Sequence, residues 1–372
     1  MSADSRAPFK QLVALFLRLG FTAFGGPAAH IAMMQDEVVR RRKWLTDTEF
    51  LDLLGAASLI PGPTSTEMAI YIGRRQAGWA GILAAGACFI LPATLIVAVI
   101  AWAYVRFGSL PQAAGLLHGV KPVVIAVILQ ALLGLRRVAV KTPFVMVMGL
   151  VALAAGFLGV NVVAVLLGTG VVVALGSWLP KNLRSVKPPA ALLSAAPFGL
   201  LPLFLVFLKI GAVLFGSGYV LLAFLRADLV QHYGWLTENH LLDAIAVGQI
   251  TPGPVFTTAT FIGYILAGPA GAAVATLGIF LPSFIYVAVS APLIPRIRRS
   301  AFAGAFLDGV NVSALALMAM ITWQLGRAAI TDVPTAAIAL LSAVLLLALR
   351  VNSTWLILGG GITGLLLKLL AH

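Results

Sequence analysis

The stretch LIPGPTSTEM at residues 59–68 places a Pro-Gly-Pro triplet inside an apolar segment, and ITPGPVFTTA at residues 250–259 does the same in the second half of the chain. Proline removes a backbone donor and clashes with the preceding helical turn, and glycine frees the backbone. Neither segment is therefore expected to form a straight helix. Each is predicted to be either two half-helices that meet at a break or a re-entrant hairpin.

The two triplets belong to an internal duplication. FLRLG at 16–20 recurs as FLKIG at 207–211, WLT at 44–46 recurs at 235–237, and both share the 191-residue offset of the Pro-Gly-Pro triplets. One residue is then dropped, and the Leu-Pro pair at 91–92 matches the pair at 281–282. Matches in register with a single gap indicate a repeat. We assign residues 1–179 to a first membrane repeat, 180–197 to a basic cytoplasmic linker and 198–372 to a second membrane repeat.

The composition indicates which solvent surrounds the chain. Of its 372 residues 61% are hydrophobic and 10% are charged, with a mean hydropathy of +1.04, whereas soluble domains carry about 25% charged residues. Backbone groups in lipid must be satisfied internally, so only helices or closed barrels can span. Long runs rich in Gly, Ala and Leu favour helices. The predicted fold class is an all-α polytopic membrane protein in the lipid bilayer.

Several classes of partner are not expected. A net charge of +13 would suggest nucleic acid on a soluble protein, but most basic residues lie between apolar segments, as is typical of cytoplasmic loops. Cys88 is the only cysteine, and the five histidines form no ligand-spaced cluster. No metal, no cofactor and no disulfide within the chain are therefore predicted.

Charge also predicts the topology. Apolar segments lie near 10–34, 50–73, 79–105, 117–135, 143–158 and 161–179, and near 200–225, 241–267, 271–294, 302–325, 334–349 and 353–370. If segment 50–73 returns as a hairpin, the basic clusters at 40–43, 74–75 and 136–141 all lie on the cytoplasmic side, as the positive-inside rule prefers. Each repeat then has about five spans and one Pro-Gly-Pro hairpin. An odd number of spans inverts the second repeat, although Arg6 and Lys10 fit an outside N-terminus poorly.

The residues that carry the duplication also carry a family resemblance. The FGGP run at 24–27, the Trp44-Leu45 loop, Pro-Gly-Pro at 61–63 and Leu91-Pro92 resemble the chromate ion transporter family in its long two-domain form. FGSG at 215–218 and QITPGP at 249–254 resemble the second domain of that family. The resemblance implies export of chromate through the cytoplasmic (inner) membrane, driven by ion gradients, with sulfate as a related oxyanion. The oligomeric state stays open, a homodimer included.

The breaks themselves suggest an anion site. A helix that starts after a break leaves amide donors unpaired and has the positive end of its dipole there, which suits an anion. In inverted-repeat transporters such paired breaks meet around the substrate. The predicted binding residues are Pro61, Gly62, Pro63, Thr64, Ser65 and Thr66 in one repeat and Pro252, Gly253, Pro254, Thr257 and Thr258 in the other, with Gly25, Gly26, Gly216 and Ser217 beside them. The alternative is a packed kink with close helix contacts.

Ionisable residues within apolar segments are costly there and suggest function. Arg18, its repeat partner Lys209, and Lys121 could each neutralise an oxyanion; the alternative is a cation whose chain extends to the interface. Glu67 follows the first break, where the second repeat has Thr258. A carboxylate there could take up a proton as the substrate leaves and so couple transport to the proton gradient, or it could cap the helix start.

The function classes that remain are transporters. The sequence shows no nucleophile–base pair, no metal-ligand set and no nucleotide-binding glycine-lysine motif, so neither an enzyme nor direct ATP drive is predicted. We expect a secondary active transporter of an oxyanion. The alternatives are sulfate or another anion on the same scaffold, and a passive anion channel.

Overall fold

The computed structural model describes residues 8–24, 26–108, 111–178, 198–215, 220–290, 301–349, 351 and 353–370, and within these ranges no strand occurs. The first repeat contains α1 Phe9–Thr22, α2 Gly26–Gln35 with a π-helical turn Asp36–Arg41, α3 Asp47–Ala57, α4 Thr64–Phe107, α5 Pro111–Ala139, α6 Pro143–Phe157 and α7 Val162–Trp178. The second contains α8 Leu200–Val213, α9 Leu221–Leu225 with a π-helical turn Arg226–His232, α10 Glu238–Ile250, a 3-10 turn Val255–Thr257, α11 Thr258–Ser290, α12 Ala301–Ala329, α13 Val333–Leu347 and α14 Ser353–Leu370. The predicted linker 180–197 lies outside the described residues.

Helices α4 and α11 are each folded back on themselves. Gly78 and Gly268 have φ values of +59° and +61° and interrupt the two helices at equivalent positions. Gly73 packs so closely on the Gly81 carbonyl that a side chain at Gly73 would overlap it. Residues eight apart in a straight helix are about 12 Å apart. Residues 64–76 therefore form a short arm that runs antiparallel to a long arm, residues 79–107.

The first Pro-Gly-Pro segment is the predicted hairpin. Arg75, at the end of the short arm of α4, donates to the Glu49 carboxylate at the start of α3 over 2.8 Å. Gln76 donates to the Trp44 carbonyl over 3.3 Å. Both ends of the segment therefore lie at the same end of the bundle, with the break at the other end.

The first apolar segment of each repeat differs from the continuous span that the sequence predicts. Arg18 on α1 and Glu37 after α2 form an ion pair at 2.7 Å, and Lys209 and Asp228 do the same at 2.7 Å. In one straight helix, residues 19 positions apart would be about 28 Å apart. The chain leaves helical geometry at Ala23, and Gly26, at the start of α2, has a φ of +77° outside the helical region. Each repeat thus contains a second broken hairpin beside the one at its Pro-Gly-Pro triplet.

The inverted relation between the repeats is visible at both ends of the long central helices. Lys141, just past the end of α5, pairs with Asp308 near the start of α12 at 2.6 Å. His118, near the start of α5, lies 3.0 Å from Asp332, just past the end of α12. Helices α5 and α12 are repeat equivalents and run antiparallel. The repeats are therefore related by a pseudo-two-fold axis across the helices, as predicted.

The exposed faces are apolar, as lipid requires. Leu95 and Val99 on the long arm of α4 are 62% and 63% exposed, whereas Ala93 and Val97 are fully buried. The stretches long and apolar enough to cross a membrane are Thr64–Phe107, Gly115–Arg136, Val255–Ser290 and Gly304–Ala329, and further apolar helices are shorter. The backbone hydrogen bonds of such a helix are satisfied within the helix. Its apolar side chains are covered by protein on one face and by lipid on the other.

The inverted arrangement predicts the outcome of accessibility labelling. Arg41 and His232 are exposed and occupy equivalent positions in the two repeats. In a Cys88→Ala background, single cysteines at positions 41 and 232 should react with a membrane-impermeant reagent from opposite sides of the membrane. As a control, each variant is also treated with the reagent on the opposite side of the membrane, where it should not react. Labelling of both from one side would mean that the repeats are parallel.

Candidate functional site

The two Pro-Gly-Pro segments are tied to each other's repeat by reciprocal hydrogen bonds. The Gly62 amide donates to the Leu214 carbonyl over 2.7 Å, and the Gly253 amide donates to the Ala23 carbonyl over 2.8 Å. Leu214 and Ala23 end α8 and α1, the first helices of the opposite repeats. Both donors and both acceptors are repeat equivalents. The two breaks therefore lie on either side of the pseudo-two-fold axis.

Glycine is required at the centre of each triplet. Gly62 has φ +133° and Gly253 has φ +83°, which side chains on L-residues rarely tolerate. A Cβ at Gly253 would lie 2.6 Å from the Cβ of Ala93. A Cβ at Gly62 would overlap the Glu67 carboxylate and come within 2.7 Å of the Ser283 hydroxyl. The second triplet is therefore packed against an apolar wall, and the first against a polar one.

Polar groups without partners collect at the first break. The Thr66 hydroxyl, the Glu67 carboxyl group and the Ser283 hydroxyl are buried, and apart from the approach of Ser283 to Glu67 they have no hydrogen-bond partner among the described residues. Thr66, Glu67 and Ser283 are 0% exposed. Unpaired polar atoms of this kind are rare and costly in a folded protein. Their convergence at Gly62, where α4 begins, marks this break as the candidate site.

The second break has satisfied hydroxyls instead. Thr257 donates to the Pro254 carbonyl over 2.8 Å, Thr258 to the Val255 carbonyl over 2.8 Å, and Thr251 to the Val247 carbonyl over 2.9 Å. These hydroxyls have used their single hydrogen and can only accept further bonds. The two breaks have the same backbone but different chemistry.

Sequence reasoning missed Ser283 and His30. Ser283 replaces Ala93 of the first repeat, and His30 replaces Leu221 of the second. His30 is 2% exposed, and its Nε2 lies 3.0 Å from the Ala23 carbonyl, which also accepts from Gly253. The carbonyl requires Nε2 to be the protonated nitrogen, which leaves Nδ1 as a buried acceptor without a partner. The sequence signal that could have identified Ser283 and His30 is that each is polar where the equivalent position of the other repeat is apolar.

The predicted cationic residues are each neutralised by a carboxylate. Beside the Arg18–Glu37 and Lys209–Asp228 pairs, Lys121 lies 3.3 Å from Asp243, which also accepts from Tyr104 over 2.8 Å. Arg18 lines a cavity of about 440 Å³, and Lys209 lines one of about 480 Å³. Within the described residues, the hydrogen bonds and ion pairs of these three side chains do not include a Pro-Gly-Pro segment. The three cationic side chains therefore pair with carboxylates on neighbouring helices and not with groups at the two breaks.

The other predicted binding residues either lie at or next to the breaks or fall outside the described residues. Pro61 and Thr64 are partly buried, and Gly62, Pro63, Ser65, Pro252, Gly253 and Pro254 are buried, all at the breaks. Gly26 begins α2 beside Ala23. Gly25, Gly216 and Ser217 lie outside the described residues. Within the described part of the chain no group of three potential metal ligands occurs.

Comparison with known proteins finds relatives that align with most of this chain. The chain is 36% identical to the chromate transport protein of Cupriavidus metallidurans over 98% of this chain and 94% of that one. It is 34% identical to a probable chromate transport protein of Synechococcus elongatus over 90% and 89%, and 31% identical to a chromate transport protein of Pseudomonas aeruginosa over 88% and 83%. No solved structure matches it.

The family comparison also separates the two repeats. The model described as chromate transporter matches residues 10–174 and again residues 201–365. Both matches contain a first helix, a Pro-Gly-Pro hairpin and the long helices that follow. The proteins similar over most of the chain are named as transport proteins, which points to a transporter rather than an enzyme. The chain therefore belongs to the chromate transporter family.

Proposed function

We propose that this chain exports chromate from the cytoplasm by secondary active transport, with the anion held between the helix starts at the two Pro-Gly-Pro breaks. The single observation that carries the site is the buried polar cluster of Thr66, Glu67 and Ser283, which has no partner outside the cluster among the described residues. It lies where one repeat meets the other. Inverted-repeat transporters bind substrate at such an interface of broken helices.

The chemistry of the breaks fits a tetrahedral oxyanion. At the start of α4 the amides of Thr64 and Ser65 precede the first intrahelical bond, since Pro63 already accepts from Thr66 and Glu67. Free amides, hydroxyl donors and the positive end of the helix dipole all favour oxygen atoms that carry negative charge. The residues around Gly62 and Gly253 would supply these contacts, together with the nearby runs at 25–26 and 216–217.

The paired cations would act along the path to the site. Arg18 and Lys209 line cavities at equivalent positions of inverted repeats, so the two cavities would open toward opposite ends of the molecule. A cation there raises the local concentration of an anion even when a carboxylate shares it. Lys121, with Asp243, would act in the same way inside the bundle.

Glu67 is the residue we assign to proton coupling. A buried carboxyl group without a partner is stable only in its neutral form or with a bound charge. A transporter that visits both sides of a membrane exposes such a group to two proton concentrations in turn. The protein would act in the cytoplasmic membrane, where those concentrations differ, either alone or as a homodimer.

Two other functions keep the same scaffold. One is transport of sulfate or another anion, and the other is a passive anion channel. Both breaks are buried in this structure, which favours a carrier that opens to one side at a time. Counterflow of labelled chromate in proteoliposomes would separate the two mechanisms, because a channel shows none.

Export predicts uptake by inverted vesicles. Inside-out membrane vesicles that carry the protein should accumulate chromate when energised, and a protonophore should abolish the accumulation. Vesicles without the protein are the control, and sulfate, molybdate and phosphate tested as competitors would rank the substrates. Accumulation only by right-side-out vesicles would contradict the proposed direction.

The two breaks should respond differently to removal of a hydroxyl. Thr66→Val should weaken chromate binding about tenfold to a hundredfold, because losing one hydrogen bond to a charged group costs about 1.5–3 kcal/mol. Thr257→Val, at the equivalent position, is the matched control and should weaken binding less, since the Thr257 hydroxyl already donates to Pro254. Equilibrium binding to purified protein measures both. Wild-type affinity in Thr66→Val would remove this break from the site.

Replacement of the buried carboxyl group should uncouple transport from pH. Glu67→Gln should keep chromate binding but lose the pH dependence of transport, measured as initial rates in proteoliposomes. Glu49→Gln is the control, since a glutamine preserves the capping box with Thr46. An unchanged pH profile in Glu67→Gln would reduce Glu67 to a structural role.

A further inference from the structure

The structure points to a proton as a co-substrate of the anion site: we infer that the oxyanion and one proton bind together at the first break, with the proton on Glu67. This inference rests on the proposed anion site and adds the sign of the coupling. Proton and anion would bind cooperatively and travel in the same direction, rather than exchanging for one another.

Among the described residues, no base or cation pairs with Glu67. Tyr71 and Tyr286 are the titratable groups that interact electrostatically with Glu67. Tyr71 lies 2.6 Å from the Ser290 hydroxyl, and Tyr286 donates to the Ala212 carbonyl over 2.9 Å. Both are neutral phenols whose hydroxyls already have partners. The Glu67 carboxyl group is therefore without charge compensation in this part of the chain.

The cations on the neighbouring elements are already engaged. Arg74, two turns further along the same arm, donates to the Val287 and Ala288 carbonyls. Arg75 pairs with Glu49. His30, on α2, faces the second break and donates to the Ala23 carbonyl. None of these contacts includes a Glu67 oxygen.

The charges at the first break decide whether proton binding and anion binding favour or oppose each other. The starts of two helices supply about half an elementary charge each, which together offset about half of a dianion. An ionised Glu67 would add a further negative charge within the same buried space, where unpaired charges are strongly disfavoured. One proton on Glu67 removes that charge. Binding the anion and binding the proton therefore favour each other.

The proton also completes the donor set. An ionised carboxylate can only accept hydrogen bonds, whereas the protonated group has an O–H to donate. Glu67 would then donate to the oxyanion beside the Thr66 and Ser283 hydroxyls, which have no partner beyond Glu67 itself within the described residues. Thr258 and Ala93 take the places of Glu67 and Ser283 at the second break. The pair of breaks therefore holds one proton per anion.

The direction of coupling has an energetic consequence. A chromate dianion that leaves with one proton carries one net negative charge outward. An inside-negative membrane potential favours that movement. Export on this stoichiometry would be driven by the electrical part of the gradient and opposed by its pH part.

The test is the pH dependence of equilibrium binding. Radiolabelled chromate is titrated against the purified full chain in lipid nanodiscs, over the alkaline range in which chromate is entirely the dianion, so that only the protein titrates. If one proton binds with the anion, the Kd should be constant where Glu67 is already neutral in the anion-free protein and should rise by about tenfold per pH unit above the pH at which Glu67 ionises there. Glu67→Gln should bind with a Kd that does not change with pH. Ser283→Ala should weaken binding but keep the slope.

Glu49→Gln serves as the matched control and should retain the wild-type slope. The backbone hydrogen bond from Thr46, together with Arg75, holds the pKa of the Glu49 carboxyl group below its usual range, so Glu49 stays ionised throughout. A wild-type Kd independent of pH would overturn the inference while leaving the anion site intact. A Kd that falls with rising pH would overturn it in favour of exchange, and no chromate binding at any pH would overturn the proposed function with it.

Discussion

Backbone polar groups inside lipid have to find partners within the protein, and the structure depends on how two broken segments meet this constraint. A Pro-Gly-Pro triplet ends one helix and starts another, and it leaves amides and carbonyls without intrahelical partners. The Gly62 and Gly253 amides are satisfied by the carbonyls at the ends of α8 and α1. Each repeat thus completes the backbone of the other. Neither repeat would be satisfied alone, which explains why the two copies interlock about one axis.

The same symmetry makes the differences between the copies informative. Duplicated backbone features, the positive φ angles of Gly78 and Gly268 among them, hold the scaffold in one shape. Side chains at equivalent positions of the two repeats differ: Glu67 aligns with Thr258, and Ser283 aligns with Ala93. Buried oxygens of Thr66, Glu67 and Ser283 collect at the first break, whereas the unpartnered nitrogens His30 Nδ1 and Gln249 Nε2 lie near the second. A symmetric scaffold thus carries different polar groups at its two breaks.

Charge compensation follows the repeats as well. The Arg18–Glu37 and Lys209–Asp228 pairs are repeat equivalents, and each closes a hairpin. An ion pair between two arms satisfies charges that would otherwise be costly near lipid. The cations predicted to neutralise a dianion therefore pair with carboxylates that connect the two arms. The described groups at the breaks are helix starts, hydroxyls and the Glu67 carboxyl group.

A good part of this architecture was readable from the chain itself. The duplication, the all-helical membrane class, the Pro-Gly-Pro hairpin and the inversion of the second repeat follow from local pattern and loop charge, because proline, glycine and basic residues act over a few positions. The candidate site follows from the sequence as far as the two breaks and Glu67, and its role stays a prediction. The fold-back of α1 on α2 was not, since an apolar run with a glycine pair has the same composition whether it continues or returns.

The sequence by itself determined which residues interrupt the helices, since that depends on local backbone chemistry at positions such as Gly62 and Gly253. Only the tertiary structure decided which groups are left without partners. Ser283 reaches Gly62 from the other repeat, and Arg18 loses its availability to a carboxylate 19 positions away. Burial and pairing are properties of contacts between segments that are distant in the chain, and no local pattern contains them.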